Sequence, residues 1–205
     1  MITCYNTSAI SAIPKVPPAT SNDRAWVEGP AELAPRPSSS LAACDPKTAT
    51  GFRSRRTAIL LAYRHGLRAS ELVGLRWDDI DWQTSTLHVR RSKGGIGTRQ
   101  PLAARELRAL RRLQREASGV HIFVSERDAP LSVAGYQRMV ARAGEAGGFP
   151  FLIHSHMLRH SCGYKLANDG QDTRAIQHYL GHRSIASTVR YTALAPDRFR
   201  NFWRD

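Results

Sequence analysis

The chain has 205 residues, 41% hydrophobic and 23% charged, enough for one domain with a proper core and about 50 residues to spare. Its longest apolar run, residues 58–62, is far short of the ~20 that cross a bilayer, and no basic and apolar leader opens it. Cys4, Cys44 and Cys162 are odd in number and lack metal-ligand spacing, so a membrane protein, a disulfide scaffold and a zinc finger are all excluded and an intracellular protein is expected.

Net charge is +13, and 26 of the 30 basic residues are arginine, the side chain suited to bidentate phosphate contact. Residues 1–50 carry four basic and four acidic side chains, so the whole excess lies in residues 51–205. A polyanionic partner is expected for that part.

Residues 1–50 hold seven of the eleven prolines among many Ser, Ala and Thr, and read as a low-complexity, disordered arm. From residue 53 to 65 the pattern turns helical, with Ile59, Leu60 and Tyr63 on one side and Gly66 as a left-handed stop. A turn presents Arg68, and a short helix over residues 70–75 carries Leu72 and Leu75 inward. Residues 80–90 change to strand character around a turn at 83–85. The next turn, Ser92-Lys93-Gly94-Gly95-Ile96-Gly97, is expected to link two strands of a small antiparallel sheet.

Beyond Pro101 the chain is helical again, with Leu107, Leu110 and Leu113 as an apolar stripe among five arginines. Such a basic face is more often solvated than bound. Phe123-Val124 reads as a short buried strand or extended segment. Helices over residues 133–146, 156–168 and 173–179 follow, the last two punctuated by Gly170 and Gly181. Residues 197–203 place Phe199, Phe202 and Trp203 at helical spacing. The fold class is mainly α with a small antiparallel β-sheet (α+β), as one domain over residues 51–205.

Cutting a phosphodiester without a metal requires cations for the phosphate, a nucleophile, and a proton donor for the departing oxygen. Three stretches supply candidates: Gly66-Leu67-Arg68-Ala69-Ser70-Glu71-Leu72, His156-Met157-Leu158-Arg159-His160-Ser161, and Leu180-Gly181-His182 followed nine residues later by Tyr191. Arg68 and Arg159 offer two guanidinium forks for one phosphate, and Glu71 is placed to orient Arg68. His156 and Arg159 are three apart and share a helix face. An unperturbed phenol has a pKa of about 10, so Tyr191 needs help to ionise, and His156 is a candidate to give it. His160 reads as a supporting residue beneath Arg159.

Taken singly, these residues have blander readings as a turn arginine, a loop histidine and a core tyrosine. His156 and His160 also have the i, i+4 spacing of a zinc pair. However, Met157 stands where the zinc-protease motif carries glutamate, and no acidic ligand follows nearby, so no metal site is expected. Gly94-Gly95-Ile96-Gly97 lacks the Gly-Lys-Ser/Thr of a phosphate-binding loop.

In the order Arg, Lys, His-x-x-Arg, His, Tyr, these residues and Lys93 resemble the signature of tyrosine recombinases and phage-type integrases, over about residues 52–204. The final third, through Asp172-Thr173-Arg174-Ala175-Ile176-Gln177 and Thr188-Val189-Arg190-Tyr191-Thr192, is especially similar to the small fimbrial phase-variation invertases. The resemblance implies a recombinase catalytic domain over residues 51–205. That domain would cut and rejoin double-stranded DNA through a 3′-phosphotyrosine at Tyr191, with no metal, ATP or other cofactor. It further implies a homo-oligomer, four protomers on two sites, in the cytoplasm and associated with the nucleoid.

By the same resemblance His182 donates a hydrogen bond to the phosphate, and Lys93, in its glycine-rich turn, protonates the leaving oxygen. The terminal aromatic stripe would dock on a neighbouring protomer. The chain departs from the pattern before Arg53, where residues 34–50, with their prolines and serines, replace the usual leucine-rich helix. Two other readings stay open at this point: a catalytically silent DNA-binding or regulatory protein on the same scaffold, and a type IB topoisomerase-like activity.

Overall fold

The computed structural model describes residues 46–91 and 97–193, with residues 46–50 described in backbone only. Residues 1–45 of the expected arm, the Lys93 turn and the stripe at residues 197–203 lie outside the described residues. Among the described residues, seven α-helices and three strands run α1 (Pro46–Arg64), α2 (Ala69–Val73), β1 (Ile80–Asp81), β2 (Thr86–Val89), β3 (Thr98–Pro101), α3 (Ala104–Arg115), α4 (Val133–Ala146), α5 (Ser155–Asn168), α6 (Thr173–Leu180) and α7 (Ala186–Ala193), with a short 3-10 turn at Trp77–Asp79 before β1. Among the described residues no helix is long and apolar enough to cross a membrane.

Helix α1 begins at Pro46, earlier than the expected start at residue 53. Proline suits a first helical turn because its fixed φ fits and its missing N–H would have had no partner there. Residues 47–51 have no apolar period, so nothing in the sequence pointed to a helix that early. Two other helix starts rest on visible local chemistry. Ser132 Oγ accepts from the Gly135 amide at the head of α4. Asp172 accepts from the amides of Arg174 and Ala175 at the head of α6, capping donors that have no helical partner.

The sheet is antiparallel in the order β1-β2-β3, with Leu87 opposite both Ile80 and Gln100. Its first turn is tied by Asp81 Oδ1, which accepts from the amides of Gln83 and Thr84. Phe123 and Val124 form an extended segment with a single bridge from Val124 to Pro130, rather than a strand. Helix α7, which carries Tyr191, had no counterpart among the expected elements.

The main core joins α1, α2, the sheet, α3 and α4 through Leu61, Leu67, Leu72, Leu87, Leu110, Phe123, Tyr136 and Leu158, each 1% exposed or less. A second cluster of Cys162, Ala167, Ile176, Leu180 and Tyr191 closes α5, α6 and α7 on one another. The two meet at Gly66, whose φ of +56° ends α1 and whose missing Cβ leaves room for the Leu180 side chain. The φ alone costs an L-residue about 1–2 kcal/mol, and a methyl group here would also collide with Leu180. Gly66→Ala is therefore expected to lower stability by about 2 kcal/mol or more, measured by denaturant unfolding; an unchanged midpoint would contradict this packing.

Candidate active site

The acidic residue of the first motif box, Glu71, is the centre of a buried charge network. It lies in the first turn of α2, where one carboxylate oxygen accepts from the Arg68 amide at 2.9 Å, which also fixes the helix start. Its other oxygen pairs with the Arg68 guanidinium at 2.7 Å. Arg91 approaches at 2.9 Å and Arg159 at 3.9 Å, so one carboxylate faces three cations. Burial by itself would raise the Glu71 pKa, but the Arg68 amide and the guanidinium groups of Arg91 and Arg68 outweigh it and hold the acid below its ordinary value.

The same arginines cap a helix. The last carbonyls of a helix lack internal partners and carry the negative end of its dipole. At the end of α6, Arg159 Nη2 donates to the Leu180 carbonyl at 2.6 Å, and Arg91 Nη2 donates to the Tyr179 carbonyl. Arg159 Nη1 donates to the Gly66 carbonyl at 2.5 Å. Gly181 then turns the chain with φ +63°, its Cα flush against the Arg91 stem, and His182 follows. Burial, with help from Arg68 and Arg91, lowers the Arg159 pKa to about 10, which leaves it charged at neutral pH.

Arg68 is the most open of the three, its side chain 28% exposed, while the Arg91 side chain is wholly enclosed. His156 is exposed beside them at the head of α5. Burial and then Arg159, Arg68 and Arg190 lower its pKa. His182 bonds Thr188 Oγ1 through Nδ1 at 2.8 Å. Burial and the arginines push its pKa down to about 4, so it is neutral at pH 7.

Tyr191 reaches this group from α7 and is 1% exposed. Its hydroxyl lies 2.8 Å from Nδ1 of His160. One face of its ring stacks with His182 at a centroid separation of 6.1 Å, and Tyr164 meets it edge-on at 5.0 Å. Gly163 supplies the remaining wall: a Cβ there would sit 2.7–2.8 Å from three atoms of the phenol ring. Burial raises the Tyr191 pKa, against the opposing pull of Arg159 and Arg190.

Arg68, Glu71, His156, Arg159, His160, His182 and Tyr191 are therefore brought together, while Lys93 lies outside the described residues. The hydroxyl is contacted by His160, one turn further along α5 than His156, whose ring packs edge-on against His160 at 4.5 Å. Arg91 and Gly163 escaped the sequence reading. Arg91 had a signal: Leu87 and Val89 point inward along β2, and a period of two carries Arg91 to the same buried side.

The model of the phage integrase family matches residues 39–198. The chain belongs to that family. It is 44% identical over 162 residues to the type 1 fimbriae regulatory protein FimE of Escherichia coli strain K12, covering 76% of this chain and 81% of the relative. It is 43% identical to FimB of the same strain, covering 70% and 75%. Tyrosine recombinase XerC of Xanthomonas campestris is 35% identical, over 70% of this chain and 45% of the relative.

Among solved structures, the XerA recombinase superposes with a TM-score of 0.64 at 29% identity, covering 76% of this chain and 59% of that one. A lambda integrase fragment bound to a core site gives 0.56 at 28%, covering 65% and 52%. This phage integrase family member is an enzyme, a tyrosine recombinase of invertase-like type.

Removing one partner from a buried charge network leaves the others uncompensated, at a typical cost of about 3–5 kcal/mol. Glu71→Gln is therefore expected to destabilise the fold by about that much at pH 7. Because the Glu71 pKa is depressed on folding, its contribution is present above the unfolded value near 4.5 and fades as pH falls through the folded one. Parallel denaturant unfolding of both proteins should then show the gap between them closing below that pH; a gap that widened in acid would be inconsistent with the network. Gly163→Ala should retain the fold but displace the phenol, and its cleavage rate should drop by about tenfold or more. DNA affinity should be unchanged in a mobility-shift assay.

Proposed function

We propose that this chain is a site-specific DNA recombinase that inverts a DNA segment between two sites, with Tyr191 as the nucleophile. The observation that carries the reading is Tyr191 itself, enclosed within electrostatic reach of Arg159 with its ring stacked against His182. Such a pocket offers the phosphate what its transition state needs, fixed cations and donors in a water-poor site.

Arg68 and Arg159 hold the non-bridging oxygens of the scissile phosphate. Thr188 donating to Nδ1 of His182 leaves the proton on Nε2, which donates to the same phosphate. Tyr191 attacks the phosphorus, forming a 3′-phosphotyrosine, and the 5′ oxygen leaves with a proton from Lys93, a role that rests on the family resemblance. The bond energy stays in the phosphotyrosine, so attack by a partner strand's 5′ hydroxyl reseals the DNA without ATP. No metal or other cofactor enters this scheme.

Duplex DNA as the partner is supported by the lambda integrase relative solved on a core site and by the net charge of +13. Exchange between two sites calls for a homo-oligomer, four protomers on two sites. Inversion rather than other outcomes rests on the similarity to FimE and FimB.

The test is covalent capture. The purified protein is incubated with a pool of nicked duplexes of randomised sequence, treated with SDS, and the adducts are separated and sequenced. An SDS-resistant adduct enriched in one sequence is expected, with none from Tyr191→Phe. An adduct with the phenylalanine variant would refute the nucleophile. A plasmid carrying the captured sequence as inverted repeats should then show inversion of the intervening segment. Relaxation of any plasmid without inversion would instead mark a topoisomerase.

A further inference from the structure

Side chains from three elements hold the end of α6, and one of them takes no part in the charge network around Glu71. Gln100 stands in β3 opposite Leu87, at the inward position of that strand, and is 1% exposed. A buried amide needs partners for its donors and for its oxygen. Here Nε2 donates to the Tyr179 carbonyl at 2.8 Å and to Thr98 Oγ1 at 3.1 Å. Oε1 faces Nδ1 of His65 at 2.8 Å. The Tyr179 carbonyl can only accept, so the amide has one orientation and Nδ1 of His65 carries the donated proton.

His65 is fixed in turn. It lies just past α1, is 1% exposed, and puts Nε2 3.1 Å from Oε1 of Glu106, which is buried to the same degree. The other Glu106 oxygen accepts from the Ala103 amide at 2.7 Å at the head of α3, and Arg64 lies 3.4 Å away. Burial alone would raise the Glu106 pKa, but His65, the Ala103 amide and Arg64 outweigh it and hold the acid below its ordinary value. A second buried carboxylate thus anchors a chain of contacts that runs from α3 through His65 and Gln100 to the Tyr179 carbonyl.

That carbonyl has two lone pairs, and Arg91 Nη2 occupies the other. The next carbonyl, of Leu180, accepts from Arg159, Gly181 turns the chain, and the His182 amide donates back to the Gln177 carbonyl at 3.0 Å. Where the His182 backbone sits is therefore set by what holds Tyr179 and Leu180. Two of the three holders, Arg91 and Arg159, are cations that an arriving phosphate attracts. Gln100 is neutral, and its partners Tyr179, Thr98 and His65 all lie within the protein. It holds the helix end in place while the charged donors respond to the phosphate. Resting on the reading of His182 as a donor to the phosphate, we infer that Gln100 is a positioning residue for cleavage, acting through the Tyr179 carbonyl to set where Nε2 of His182 meets the phosphate.

The experiment measures single-turnover adduct formation on the captured nicked duplex with saturating protein. It compares wild type, Gln100→Met, Gln100→Glu, His182→Ala and the double variant of Gln100→Met with His182→Ala. Methionine keeps the length of the side chain and removes the amide, whereas glutamate keeps an oxygen for His65 and removes the donor to Tyr179. Both Gln100 variants are expected to shift the duplex like wild type but to form adduct about tenfold or more slowly, as a displaced catalytic group does. In the His182→Ala background, Gln100→Met should slow the reaction by no more than about twofold, because the two residues act on one contact. In histidine-labelled protein, the ring resonance of His182 should move in both Gln100 variants while that of exposed His154 stays in place. A side chain that only stabilised the fold would give neither the missing increment nor the selective shift.

The inference is overturned if Gln100→Met cleaves within about twofold of wild type, less than a misplaced group costs. It is equally overturned if the full loss recurs in the His182→Ala background, or if the His182 resonance is unmoved. Loss of duplex binding in both Gln100 variants would also overturn it, by assigning Gln100 to the fold. The parent reading fails separately, through wild-type cleavage by His182→Ala. A slow His182→Ala with additive Gln100 losses would remove only the positioning role.

Discussion

One buried carboxylate organises this molecule. Glu71 is 7% exposed and faces the guanidinium groups of Arg68, Arg91 and Arg159. Two of these cations have second commitments: Arg91 and Arg159 to the end of α6, and Arg159 also to the turn after α1. Three helices (α2, α5 and α6), a strand end and a turn are thereby tied to a single point. A buried ion pair is weak evidence for stability, since desolvation can exceed the attraction, and its best-attested use is to specify geometry. Here it fixes the direction of guanidinium groups that must meet a phosphate, and Arg68, the partly exposed one, is left to face solvent.

The network also separates charge from proton handling. The arginines stay protonated and supply the positive field, and that field with burial keeps His160 and His182 neutral, their pKa values near 4. A neutral imidazole can donate or accept a proton, whereas an imidazolium can only donate. Had these histidines been exposed, with ordinary values near 6.5, part of the population would be charged and unable to accept a proton. The fold thus decides the chemistry of the histidines through their surroundings.

Much of the site was legible from local signals. Gly66 and Gly181 announced the ends of α1 and α6, and the leucine stripe the buried face of α3. The three motif boxes named Arg68, Glu71, His156, Arg159, His182 and Tyr191 as a set, because residue types and order were enough. Helix α7 was not legible. It has eight residues with β-branched Thr188, Val189 and Thr192, and its helical state depends on packing against α5 and α6 rather than on propensity. The early start of α1 was hidden for a related reason, since residues 47–51 display no apolar period.

The amino-acid sequence by itself determined which chemistry is available: a phenol, paired guanidinium groups, histidines and a carboxylate, in an order that marks the family. Helical spacing already put His156, Arg159 and His160 on neighbouring positions of one helix. Only the tertiary structure decided which histidine meets the hydroxyl and that Arg91 belongs to the network. It also decided that Gly163 is the wall behind the phenol. The first two turn on distances of 2.8–2.9 Å between residues 20 and 31 positions apart, and all three follow from how α5, α7 and the sheet pack, which no local pattern encodes.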